Sequence, residues 1–252
     1  MIRLLLDADT PQRALTPAWA AAYIHMRTAA YGTDKPFATV YTDGNACLSI
    51  LDGNGVMAGD TLRNTAEWAA FLGGLSDLKT LLAPEGLLCD MVSMTQWERT
   101  PLPVMQYGGA PVPSADDAIL LDSPRALYPL LSAVFGATVP PFDSFYVDTA
   151  YRLRHGMCHI ATIKGEDTLL SAAMTVAETT DAAVIGAVAT LPTHRRKGYA
   201  AQCLRTLLHA LRAERPERAI YILPENTSLQ RYYAANGFFV ADAALYCQKK
   251  GN

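Results

Sequence analysis

Long apolar runs are missing from this 252-residue chain, although half of its residues are hydrophobic. A membrane-crossing helix needs roughly 18 or more uninterrupted apolar residues, so no such span is expected. The opening MIRLLLDAD does not read as a secretion signal, because Asp7 and Asp9 interrupt its apolar stretch. Cysteine is sparse: Cys47, Cys89, Cys158, Cys203 and Cys247 stand singly, and no Cys-x-x-Cys pair occurs. Neither a disulfide framework nor a zinc cage is implied, and a reduced, cytoplasmic setting is the expectation. Charged residues make up 18% with a net charge of −3, and aromatics 9%, which argues against disorder and against a general nucleic-acid binder. Three signatures are also absent. No GxxxxGK[ST] loop, no GxGxxG and no GxSxG occurs, which disfavours Walker-type, dinucleotide-binding and nucleophile-elbow chemistry.

The length suits one large domain or two small ones. From Pro101 to Pro113 the chain reads PLPVMQYGGAPVP, with four prolines and two glycines, and regular structure is expected to be interrupted there. This predicts a boundary between 1–113 and 114–252, with a long structured loop inside one domain as the alternative. Upstream, a helix is expected over Pro17–Ala30, then strands Phe37–Thr42 and Cys47–Leu51 around Asp43-Gly44-Asn45, and a third strand after Asp52-Gly53-Asn54-Gly55. Asn64 with Glu67 has the spacing of a capping box for a helix through Leu72. Met91, Met94 and Trp97 recur at helical spacing and read as core or interface.

Downstream, strands are expected at Ala118–Leu121, His159–Ile163, Leu169–Ala177, Ala182–Thr190 and Ala219–Leu223, with one or two more over Phe238–Gln248. Helices are expected at Pro124–Phe135, Asp143–Arg154, Tyr199–Ala213 and Leu229–Ala235. The fold class is therefore α/β in layers, a mixed sheet flanked by helices.

Charge is unevenly spread. His194–Arg218 holds seven basic residues and two acids, a local +5 against −8 for the rest, which suits a small anionic ligand. At its start lies AVATLPTHRRKGYAAQCLRTLL: a buried strand, a proline turn, Arg195, Arg196, Lys197, Gly198, and then a helix. A helix N-terminus presents unpaired N–H groups and a partial positive charge, so this turn predicts a diphosphate site. A solvated basic loop is the plain alternative.

Arg195-x-x-Gly198-x-Ala200 resembles the [RQ]-x-x-G-x-[GA] acyl-CoA signature of the GNAT N-acetyltransferase superfamily. PENTSLQRYYAANGF resembles the same family's Asn…Tyr-x-x-x-Gly-Phe stretch, with Asn226, Tyr233, Gly237 and Phe238 in register. The resemblance covers about Ala118–Lys250, and the N-terminal half reads as a smaller α/β domain, a degenerate second copy being one option. It implies acetyl-CoA or coenzyme A as co-substrate. Main-chain groups of Val188, Ala189 and Thr190 would hold the pantetheine arm, and the amides of Arg196, Lys197, Gly198, Tyr199 and Ala200, with the basic side chains including Arg195, the pyrophosphate. Asn226 would contact the cofactor arm, and Tyr233 would protonate the departing thiolate. Neighbouring Tyr232 is the alternative acid. A small-molecule or peptide amine is the expected acceptor, with no nucleic-acid or membrane partner and a homodimer left open.

The family's strand glutamate has no counterpart, since Ala182–Ala189 contains no acid. Glu178, Asp181 and His159 are the nearby base candidates. A water-mediated base, or a non-catalytic module that binds coenzyme A, are the other readings. Acceptor contacts are expected from Phe142–Arg154, including Asp143, Tyr146, Asp148 and Tyr151. His155, Cys158 and His159 are not expected to hold a metal, and His209 reads as a surface residue.

Overall fold

The computed structural model describes residues 1–6, 15–89, 96–109, 113, 118–121 and 123–250. In chain order the first elements are β1 (Arg3–Leu4), α1 (Ala18–Tyr31), β2 (Asp34–Lys35), β3 (Ala38–Thr42), β4 (Ala46–Leu51) and β5 (Asn54–Gly59). Then follow α2 (Thr65–Gly74), β6 (Thr80–Pro84), α3 (Glu85–Leu88), β7 (Trp97–Tyr107), β8 (Ile119–Leu120), α4 (Leu127–Phe135) and α5 (Phe142–Arg154). The last are β9 (Ile160–Lys164), β10 (Leu169–Glu178), β11 (Ala182–Thr190), α6 (Tyr199–Glu214), β12 (Ala219–Ile222), α7 (Thr227–Ala235) and β13 (Phe238–Lys249). Met91 and Met94 lie outside the described residues.

Contacts divide the chain into two compact units that interleave along the sequence. One comprises Met1–Gln106, Leu223–Tyr233 and Phe239–Asn252; the other comprises Tyr107–Ile222 and Ala234–Phe238.

In the first unit the strand order is β1-β3-β4-β5-β6-β13-β7, with β2 on β3. β3, β4 and β5 form an antiparallel meander, and β6 then runs parallel to β5. Two turn chemistries set its register. Asp43 Oδ1 accepts the N–H groups of Asn45 and Ala46, while Asp52 and Gly53 both sit at positive φ (49° and 81°), the pairing that a two-residue hairpin turn demands. Trp68, Leu72, Leu81 and Leu88 close a fully buried core against this sheet.

The long β7 departs from expectation, because Pro101 and Pro103 lie inside it. Successive N–H groups of a strand point to alternate edges, so prolines two apart remove donors from one edge and leave the other intact. β13 likewise forms one strand, pairing antiparallel with β6 from Ala244↔Pro84 to Gln248↔Thr80.

The second unit has the order β12-β11-β10-β9-β8, antiparallel except for the parallel β11–β12 pair. α6 places Leu204, Leu207, Leu208 and Leu211 in the core and leaves Arg205 and His209 exposed, as its apolar stripe predicts. Both units share one order of elements: a three-strand meander, a helix, and a strand parallel to the last.

Candidate active site

β11 outruns its neighbour. Pairing with β12 stops at Ile185↔Ile222, and β11 continues for Gly186–Thr190 along an edge that β12 does not cover. The burial of β11 loosens at the same point: residues up to Ile185 are buried, while Gly186, Ala187, Val188 and Thr190 are half-buried. A bulge at Ala187 (φ 47°) shifts the register with β10 by one residue and re-aims the end of the strand.

Beyond the bulge the backbone alternates. Leu191 N–H donates to Leu170 O, and the Ala189 carbonyl accepts the Ser171 hydroxyl at 2.9 Å, so these groups face β10. Val188 and Thr190 therefore direct main-chain groups to the uncovered edge. Arg195 Nε donates to Thr190 O at 3.3 Å, tying the loop to the strand end.

The turn that follows is built to expose amides. Arg196 (φ 61°) and Gly198 (φ 83°) both take the left-handed conformation. Gly198 is the N-cap of α6 with no side-chain cap hydrogen bond, and the first helical turn carries no acid. A Cβ placed on Gly198 would meet nothing within 4 Å, so the space above the amides is open. The first intrahelical bond is Gln202 N–H to Gly198 O; Tyr199 and Ala200 precede it and have no intrahelical acceptor. Arg195, Arg196 and Lys197 are exposed around this turn.

The rest of the basic run does not join them. Arg218 is buried in ion pairs with Glu178 (2.8 Å) and Glu214 (3.0 Å), and Arg212 donates to the Pro216 carbonyl and lies over the Tyr107 ring. The local +5 thus overstates the field at the turn.

Asn226 and Tyr233 fall in the other compact unit. Asn226 caps α7, its Oδ1 accepting the Leu229 N–H at 2.9 Å. Tyr233 is buried, in edge contact with Tyr232, and burial pushes its phenol above the ordinary value near 10. The phenol therefore stays protonated throughout the physiological range.

The base candidates are otherwise employed. Glu178 is fully buried at the end of β10, accepting from Arg218 and from the Thr175 hydroxyl (2.8 Å), with His159 Nδ1 at 3.0 Å. Its register partner is Ala183, four residues from the bulge at Ala187 and about 13 Å away at the usual rise. His159, Glu178 and Glu214 offer ligand atoms within 4.8 Å of one another, but the Arg218 guanidinium already pairs with both carboxylates. His155 and Cys158 do not converge with His159: His155 Nδ1 meets Tyr151 O, and the buried Cys158 thiol donates to Thr175 O. Cys203 is buried in α6 with its thiol pushed up to about 11 by burial, far from a nucleophilic thiolate.

β11 thus outruns β12 and leads into the uncapped α6. Residues 125–238 match the family model of the acetyltransferase (GNAT) family. A GCN5-related N-acetyltransferase from Kribbella flavida superposes with TM-score 0.63 at 15% identity, covering 92% of this chain and 95% of its own. A tandem GNAT protein from the clavulanic acid biosynthesis pathway gives 0.59 at 15% identity, covering 100% and 99%. A GNAT-family protein from Novosphingobium aromaticivorans gives 0.58 at 23%, covering 84% and 91%. No curated protein matches the sequence. Among the described residues, no helix is long and apolar enough to cross a membrane.

The sequence did not single out Arg152, which pairs with Asp148, or the buried role of Arg218. The Asp148/Arg152 spacing of four on one helix was the available signal for Arg152.

Proposed function

We propose that this protein is an N-acyltransferase that moves an acetyl group from acetyl-CoA to a primary amine by direct attack, with the 114–252 segment as its catalytic half. One observation carries the reading: the α6 N-terminus is uncapped, glycine-entered and ringed by Arg195, Arg196 and Lys197, directly beyond a strand edge that β12 leaves uncovered. Backbone amides aimed at open space suit a pyrophosphate, and the main-chain groups that Val188 and Thr190 direct to the uncovered edge suit the amides of the pantetheine arm, the Thr190 carbonyl once it exchanges its Arg195 donor.

In the reaction the neutral amine nitrogen bonds to the thioester carbonyl carbon, the C–S bond breaks, and the ammonium proton leaves to water. Deprotonating a lysine-like amine at pH 7 costs about 4.6 kcal/mol. Tyr233 donates its proton to the thiolate as it departs and regains one from water, which restores the phenol for the next turnover. The high pKa of Cys203 supports a route without an acyl-enzyme.

Calorimetry with coenzyme A tests the site. Gly198→Glu should abolish binding, because the added carboxylate enters the phosphate position, and unchanged affinity would reject the reading. Tyr233→Phe should lower kcat by about 10²-fold or more while leaving acetyl-CoA affinity close to that of the parent.

A second reading, a coenzyme A-binding module without turnover, is favoured by the engagement of Glu178 in its ion pair and by the acid-free β11. Thiol release from acetyl-CoA across a panel of amines separates the two.

A further inference from the structure

The first unit carries a cleft of about 670 Å³ where the β4–β5 turn meets the loop after α2. We propose that this cleft is a ligand site in its own right, and that it takes a free dipeptide with one basic and one aromatic side chain. The proposal stands apart from the acyltransferase reading, because every residue lining the cleft belongs to the first unit.

The frame is built locally. Asp52 and Gly53 form the left-handed pair of the hairpin turn, and the Asp52 N–H donates to Phe37 O at 2.9 Å. Gly53 O accepts the Lys79 N–H at 2.8 Å, and a Cβ on Gly53 would lie 2.6 Å from Asp77 O. Only glycine lets the loop pack this closely on the turn. Thr80 Oγ1 donates to Asn54 Oδ1 at 2.8 Å and closes the same seam. Turn and loop thus hold one another, and between them they carry Asp52, Asp77 and Lys79 to the wall of the cleft.

Charge selects the ligand. Asp52, Asp77 and Lys79 form no ion pair with any of the described residues, and Asp77 Oδ1 accepts only the neighbouring Ser76 hydroxyl, at 3.3 Å. Two carboxylates and one ammonium call for two cations and one anion. A dipeptide with a basic first residue supplies them as its α-ammonium, its side-chain ammonium and its carboxylate. A nucleoside phosphate would set a dianion against two carboxylates, and a polyamine would leave Lys79 unanswered.

Size and walls agree. At about 30 Å³ per water-sized group, the space holds about twenty non-hydrogen atoms, a dipeptide rather than one amino acid. Phe37, Tyr41 and Ile50 form the apolar wall, and Phe37 is left 48% exposed there. An aromatic second residue covers that ring and adds edge or offset contact.

The test is calorimetry of the dipeptide Lys-Phe into the full chain without coenzyme A. Binding at one site per chain is expected. Asp52→Asn, which suits the left-handed turn, and Lys79→Met should each weaken it about three- to fivefold, the share of one partly exposed ion pair. The double variant Asp52→Asn/Asp77→Asn should weaken it about tenfold or more. Ligand analogues put the same question to the unaltered protein: the C-terminal amide of Lys-Phe should bind about threefold more weakly, and Glu-Phe about tenfold more weakly. No binding of Lys-Phe, equal binding of the amide or of Glu-Phe, or full affinity in the double variant would each overturn the proposal. Coenzyme A titrated into the same proteins keeps the two sites apart. Its affinity should match the parent's in every variant, and a parallel loss would deny the cleft its independence. Failure of coenzyme A to bind the parent condemns the phosphate turn alone, whereas failure of the dipeptide condemns the cleft.

Discussion

Arg218 Nη1 lies 2.8 Å from Glu178 Oε1, and both side chains are withdrawn from solvent, at 3% and 0% exposure. Glu178 ends β10 and Arg218 leads into β12, so the pair links the ends of two strands that β11 separates. Removing one member strands a buried charge. Arg218→Ala should cost about 3–5 kcal/mol in urea unfolding. The double variant Arg218→Met/Glu178→Leu should cost much less, because both charges leave together. A single variant as stable as the parent would show that the pair contributes nothing.

The same carboxylate sets a pH dependence through His159. Its hydrogen bond to Glu178 is the largest influence and raises the imidazole pKa above 6.5, against burial, which lowers it; Glu214 adds to the rise and Arg218 opposes it. The folded state therefore holds the proton more tightly than the unfolded chain. This contribution is fully present below about pH 6.5 and is lost as pH climbs through the raised folded value. Unfolding free energy measured from pH 5 to 9 should fall across that window, and His159→Gln should flatten the fall. An equally steep decline in the variant would assign it to other groups.

Arg196 holds a left-handed conformation that costs a non-glycine residue about 1–2 kcal/mol. Arg196→Gly releases that strain and gives back about 0.5–1 kcal/mol in unfolded-chain entropy. The variant should be as stable as the parent or better by up to about 1 kcal/mol. Its affinity for coenzyme A should nonetheless drop about two- to fivefold, the share of one exposed cation at a helix N-terminus. Opposite signs in stability and binding would mark the strain as functional; loss of both would make Arg196 structural.

Much of this was legible in the sequence because the turns carry their own chemistry. Asp43-Gly44-Asn45, Asp52-Gly53 and Asn236-Gly237 each sit where the backbone reverses, with Gly44, Gly53 and Gly237 at positive φ. The phosphate turn was legible for the same reason: Gly198 is a local requirement. What was not legible depends on partners distant in the chain. The β13–β6 pairing joins residues more than 150 positions apart, and Arg218 counts as surface charge until Glu178, 40 positions earlier, is folded against it. Pro101 and Pro103 read as breakers because a sequence does not say which edge of a strand must donate. The cleft was hidden too, since Phe37, Tyr41 and Ile50 are merely apolar until β3, β4 and the loop after α2 surround a common space.

The repeated order of elements raises the question of whether α2 offers a second phosphate site, and the residues at its start answer it. Asn64 caps α2, its Oδ1 accepting the Glu67 N–H at 3.0 Å, and Glu67 itself places a negative charge in the first turn. Asp43 sits beneath, accepting from Arg63 N–H and Trp68 Nε1 at 2.8 Å each. Burial works against the ionised Asp43, but its hydrogen bonds outweigh that and hold its pKa below the usual carboxylate value, so it is charged at neutral pH. An anion at this helix would face two carboxylates and donors already engaged. At α6 it faces three cations and donors without a cap. Coenzyme A should therefore bind at one site per chain, and Asn64→Ala should lower stability by about 1 kcal/mol without changing affinity or stoichiometry. A calorimetric stoichiometry of two, or a loss of coenzyme A binding in Asn64→Ala, would place phosphate recognition in the N-terminal half and remove the distinction drawn between the two helices.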